Sequence, residues 1–182
     1  TYCSRPTEEK FLSSTQNYIE RLFMAANPEN KPYIVIDQIV PPSNLGRYLR
    51  YFNDLHVFVV DRDPRDVYLL SKYVWHDSIV PKESIDLYCR WFRYTRAHRQ
   101  VDRWDPSKVK FLMFEDLVYK YDDTTKEIRD WLGLSKMDHT AQNKYFDPKV
   151  SINNTQLWKK NRSYEEEAKQ ISALLPEFLY DC

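Results

Sequence analysis

Residues 61–66 read DRDPRD, which sets Asp61, Arg62, Asp63, Arg65 and Asp66 around Pro64 directly after an apolar run, VFVV at 57–60. A strand ending in such a turn would bring cationic side chains and the unpaired N–H groups of a following helix to one point. That combination suits an anion, with Arg62 or Arg65 donating to it and phosphate as the natural guest. The same residues also permit a closed arrangement, in which the charges pair with one another and Asp63 caps the helix. Other parts of the chain have to decide between the two.

The elements that must position this turn can be read from periodicity. Val57–Val60 is a continuous apolar run, which predicts a strand buried on both faces, and the helix after Pro64 would carry Val67, Leu70 and Val74. Tyr33–Ile36, between Pro32 and Pro41-Pro42, predicts a strand ending at Asp37, and Val109–Phe114 predicts another. Helices are expected from a Thr7 cap to Ala26, from a Ser43 cap through Leu45 to Phe52, and over 83–103. Two more are expected, over 123–132 with Gly133 as the stop, and after a Ser163/Glu166 capping box. Strands alternating with helices imply an α/β fold class, a three-layer α/β/α arrangement with a central parallel sheet.

Composition narrows the function classes. The 182 residues, 42% hydrophobic, are enough for one globular unit over 1–182. Lys plus Arg and Asp plus Glu both total 27, so no global basic field points to long nucleic acid, and any anion site must come from locally clustered cations. Cys3, Cys89 and Cys182 have neither metal-ligand spacing nor an even count. No run of 18 apolar residues predicts a membrane span, and a cytoplasmic location is the default expectation. The only glycines, Gly46 and Gly133, form no phosphate-cradling loop.

The segment VFVVDRDPRDVYLLSKY, 57–73, resembles the 3′-phosphate-binding element of sulfotransferases that use 3′-phosphoadenosine 5′-phosphosulfate (PAPS). VKFLMFEDL at 109–117 with IRDWLGL at 128–134 is similar to that family's strand-plus-EDL element and the helix end that follows it, and NNTQLWKK at 153–160 to its late Trp-Lys segment. The three matches fall in the family's order. The resemblance implies the P-loop nucleotide-kinase-like sulfotransferase fold and sulfuryl transfer from PAPS to a hydroxyl acceptor, with a saccharide as the expected class. It implies no metal requirement.

Carried over by position, the resemblance makes Arg62 the grip on the 3′-phosphate, with Ser71 as its hydroxyl partner. The family places that serine eight residues after the arginine, where this chain has Leu70. Either the helix carries a local bulge, or Ser71 points elsewhere. Phe114 falls where an aromatic lies near the adenine, and Asn154, Trp158 and Lys159 match the late segment. In place of the basic triplet that precedes the Trp-Lys pair in other members, this chain has SIN, 151–153. The catalytic histidine of the cytosolic branch has no equivalent in DQIVPP, 37–42. Asp37 is one candidate base, if burial raises its pKa, and His76, just past the 3′-phosphate helix, is another. The Gly-Thr-rich loop that holds the 5′-phosphosulfate is not found in the chain, so the domain is expected to be incomplete at its N-terminal side.

Overall fold

The structure, a computed structural model, describes residues 5–38, 42, 45–76, 78–97 and 105–181. The expected Ser43 cap, the helix continuation after Ala97, and Cys3, His98, Trp104 and Cys182 lie outside those residues. The chain divides into two compact units, residues 1–57 with 98–109 and residues 58–97 with 110–182.

In the first unit, Thr7 caps helix α1, Glu8–Ala26, by accepting the Lys10 N–H, and Asn27 ends it. Phe23 stacks on Phe52 with centroids 6.2 Å apart, Phe11 meets Tyr51 edge-on, and Gln16 donates to the Arg50 carbonyl at 2.9 Å. These contacts fasten α1 to the short helical stretch formed by α2, Leu45–Tyr48, and one 3-10 turn, Leu49–Tyr51. Residues 33–36 form no strand: the segment is irregular and exposed, because no neighbouring strand among the described residues takes up its backbone groups.

The described residues are α/β and mostly helical. Strands β1, Val57–Asp61, and β2, Val109–Met113, form a two-stranded parallel sheet, and the Val57 N–H donates to the Lys108 carbonyl at the start of the pairing. Parallel strands need a crossover, supplied by α3, Pro64–Leu70, a π turn, Ser71–Trp75, and α4, Ile85–Ala97. The expectation that β1 is buried on both faces is not met: Val59 is buried, whereas Val60 is 52% exposed. With two strands among the described residues, one face of β1 has no covering layer at that position.

After β2 come α5, Phe114–Tyr119, and α6, Tyr121–Leu132, which ends at Gly133 in the left-handed conformation that glycine adopts without a Cβ clash. Then follow α7, Pro148–Ser151, α8, Leu157–Lys160, and α9, Glu165–Leu174. The Ser163/Glu166 capping box does not form. Asn161 instead accepts the Ser163 N–H and hydroxyl, and a 3-10 turn leads into α9, whereas a true box closes between Ser135 and Asp138. The core gathers Tyr68, Leu69, Tyr88, Phe92, Ile171 and Leu175 from α3, α4 and the end of the chain. Burial pushes the Cys89 thiol in this core up to about 11. Among the described residues no helix is long and apolar enough to cross a membrane.

Candidate functional site

The turn between β1 and α3 is built by its own charges. Asp63 caps α3 by accepting the Arg65 N–H at 2.9 Å, and Pro64 takes the first helical position, where its missing N–H costs nothing. The Asp63 carboxylate is fully buried; it also receives the Arg65 guanidinium and, at 3.1 Å, the Tyr180 N–H. Asp61 points the other way, into a two-oxygen pairing with Arg96 of α4, and both side chains are mostly buried. Tyr88 of α4 donates to the Pro64 carbonyl at 2.6 Å. The turn is thus fixed from three sides before any ligand is considered.

The three segments that carry the resemblance converge on this turn. From 109–117, the Phe114 ring lies 4.2 Å from the Arg62 guanidinium carbon, and Glu115 accepts the Asp63 N–H at 3.0 Å. From 153–160, the Asn154 carbonyl accepts an Arg62 N–H, and the Trp158 ring lies 3.8 Å under the Arg65 guanidinium. Fully buried Asp66 accepts the N–H groups of Gln156 and Leu157 at 2.8 and 3.0 Å. Gln156 has φ 52°, a left-handed conformation uncommon for a side-chain-bearing residue, and the Asp66 carboxylate holds it there at the start of α8.

Arg62 itself is only partly satisfied. Its Nε is buried without a hydrogen-bond partner, and so are Ser71 Oγ and Glu115 Oε2. Burial of the guanidinium lowers the Arg62 pKa, against the opposing pull of Asp66, Glu115 and Asp63. Burial likewise raises Glu115, with the Asp63 N–H working the other way, and raises Asp66 against the two N–H groups it accepts. A donor and a hydroxyl buried without partners are costly. An anion reaching both would relieve that cost.

Of the two alternatives for Ser71, the bulge is present: the His76 N–H bonds the Ser71 carbonyl across a π turn, and Ser71 is buried. The same turn brings Trp75 to 5.8 Å from the Arg62 guanidinium, so the cation lies near two aromatic rings. Trp75 was not among the expected site residues, although the serine displaced by one position was the signal of an inserted residue in the helix.

The remaining candidates are not gathered here. Lys159 is exposed on α8, and exposed His76 is the left-handed residue that ends the π turn. Asp37 sits on an exposed bend rather than at a strand end, so the burial that would prepare it as a base is missing. No group of three or more His, Cys, Asp or Glu side chains among the described residues could hold a metal ion. Compared with protein-family models, curated proteins and solved structures, the chain matches none of them.

Proposed function

We propose that the chain is a PAPS-dependent sulfotransferase or the nucleotide-binding part of one, transferring a sulfuryl group to a hydroxyl of a saccharide acceptor in the cytoplasm. The observation that carries this reading is the meeting of three separate segments around Arg62, with Arg62 Nε and Ser71 Oγ buried and unpartnered side chains of one turn-and-helix unit. A phosphate monoester has the oxygens to accept from both. The fold that accompanies this reading is a three-layer α/β/α domain, in which further strands extend the parallel pair β1–β2.

In this reading Arg62 and Ser71 hold the 3′-phosphate, and Phe114 packs beside the adenine. Asn154, Trp158 and Lys159 border the nucleotide from the 153–160 segment. PAPS supplies an activated sulfuryl group: a bond from sulfur to the acceptor oxygen forms as the bond from sulfur to the 5′-phosphate oxygen breaks, and the hydroxyl proton leaves to a base. The turn's contribution is positioning and charge neutralisation, the larger part of catalysis in such in-line transfers. Asp37→Asn and His76→Asn variants, assayed for turnover against pH, assign the base between the two candidates.

The direct test is equilibrium binding of adenosine 3′,5′-bisphosphate to the full chain, with adenosine 5′-phosphate as the comparison. The 3′-phosphorylated nucleotide should bind more tightly, and Arg62→Ala should abolish the preference. Absence of binding by the intact protein would end the proposal. A second reading, nucleotide binding without transfer, is favoured by the exposure of Asp37 and the lack of a histidine in 37–42. It predicts the same binding, but no sulfated product when labelled PAPS and saccharide acceptors are supplied.

A further inference from the structure

The Arg62 seat has an unusual charge balance for a place that receives an anion. The carboxyls of Asp61, Asp63, Asp66 and Glu115 outnumber the guanidiniums of Arg62, Arg65 and Arg96 around the same turn. Three of those carboxyls have full sets of donors. Asp61 takes Arg96 and the Arg62 N–H, Asp63 takes Arg65 and the Tyr180 N–H, and Asp66 takes two helix-start N–H groups. Glu115 differs: Oε1 accepts the Asp63 N–H, whereas Oε2 is buried and accepts nothing. Of the four, it is the carboxyl with a buried oxygen that has no donor.

Among the described residues, Arg62 is the cation that acts on Glu115. Facing it from the β1–α3 turn are Arg62 and Asp63, with Asp66 in the first turn of α3. Its neighbour Asp116 is engaged by Lys120 and by the Tyr180 hydroxyl. From the elements packed on α5, Asp122 and Asp123 of α6 and Lys149 of α7 are exposed to solvent. Arg62 is therefore the principal cation for Glu115, and it is also the group an incoming phosphate must claim.

We propose that Glu115 is the positioning carboxyl of the Arg62 seat, and that an anion entering the seat is bound together with one proton taken up by Glu115. The proposal rests on the nucleotide reading above. Through Oε1, Glu115 fixes the backbone that follows Arg62. Its negative charge competes with the anion for the guanidinium until it is neutralised. A dianion placed in this buried cluster disfavours the charged form of the nearest uncompensated carboxyl. Burial of Glu115 raises its pKa in the same direction. The sign follows from linkage. Because the pKa is higher in the bound state, the proton's contribution to affinity is complete below the free-state pKa and is lost as pH rises through the bound-state pKa.

The experiment is calorimetric titration of the full chain with adenosine 3′,5′-bisphosphate between pH 5 and 8, in two buffers of different ionisation enthalpy, for the wild-type chain and for Glu115→Gln. Glutamine keeps an oxygen for the Asp63 N–H, and its uncharged amide cannot take up the proton. The wild-type chain should take up as much as one proton more than the variant in the window between the two pKa values, with Kd rising about tenfold per pH unit relative to the variant there. Above that window the variant should bind more tightly, by about tenfold for each pH unit that the window spans. Sulfate, which does not titrate in this range, should show the uptake in the wild-type chain alone and so serves as a second probe. Binding with parallel pH profiles and equal proton uptake in both proteins overturns the role of Glu115 and leaves the nucleotide reading standing. Absence of nucleotide binding in both overturns the two together.

Discussion

Two stretches of this chain have almost the same chemistry, YIVID at 33–37 and VFVVD at 57–61, and they fold differently. The second is strand β1: Val59 is 7% exposed, and Asp61 ends it in a two-oxygen pairing with Arg96. The first has no regular structure; Val35 is 96% exposed and Asp37 lies on an exposed bend. Both runs have the β-branched content that suits a pleated, half-buried surface. That preference is one of context, realised only when a neighbouring strand takes the backbone groups and a packed face takes the side chains. At 57–61 both are supplied, by β2 and by the crossover that returns Arg96 to Asp61. The terminal aspartate is the most sensitive reporter of the difference, since only one of the two has a buried partner.

The largest expected effect follows directly. Asp61→Asn leaves the mostly buried Arg96 without its counter-ion, and breaking such a pair from one side costs about 3 kcal/mol. Urea denaturation should show that loss, whereas Asp37→Asn should stay within about 0.5 kcal/mol of wild type, as surface substitutions do. Equal losses in the two variants would mean that Asp37 has a buried role and that the contrast is wrong.

Next comes Arg62, the residue immediately after the second run. Arg62→Ala removes a charged donor from a desolvated site, which typically weakens binding by about 2–3 kcal/mol, or ~30- to 150-fold in Kd. Adenosine 3′,5′-bisphosphate is the probe. Gln38, which follows the first run, should tolerate alanine with no change in affinity, and a matching loss there would move the anion site away from the β1–α3 turn.

A smaller contrast lies within the runs themselves. Val59→Ala should cost about 1–2 kcal/mol for two buried methyl groups, measured from the denaturation midpoint, while Val35→Ala should be close to neutral. A loss at Val35 as large as that at Val59 would show that 33–36 packs as a strand in solution.

The same contrast explains how much could be read from the chain. Motifs whose structure is fixed locally were legible: Thr7 as the cap of α1, Asp63-Pro64 as the start of α3, and Gly133 as the end of α6 all depend on a few consecutive residues. The Arg62 turn was legible as a strand-turn-helix unit because its parts follow one another in sequence. What was not legible depends on distant partners. Asp66 reaches across 90 residues to hold Gln156, and Trp75 comes near Arg62 only because a π turn rotates the end of the helix. At 33–36 the local pattern said strand, and no partner among the described residues made it one.

The smallest effect tests whether local signals in the first unit carry the weight that the packed core carries in the second. Helix α1 has no fully buried residue, so its stability leans on its cap and on its contacts with 49–53 more than on a packed face. Thr7 accepts the Lys10 N–H at 3.3 Å, an exposed and rather long bond, and acidic Glu8 and Glu9 sit where the helix dipole favours them. Thr7→Ala should therefore cost about 0.5–1 kcal/mol, the lower part of the usual capping range. Because the loss is local, amide exchange should quicken over the first turns of α1 while the amides of α3 and α4 keep their protection. Faster exchange in α3 as well would show that the two units unfold together, and that the exposed run at 33–37 is tied to the fate of the paired one at 57–61.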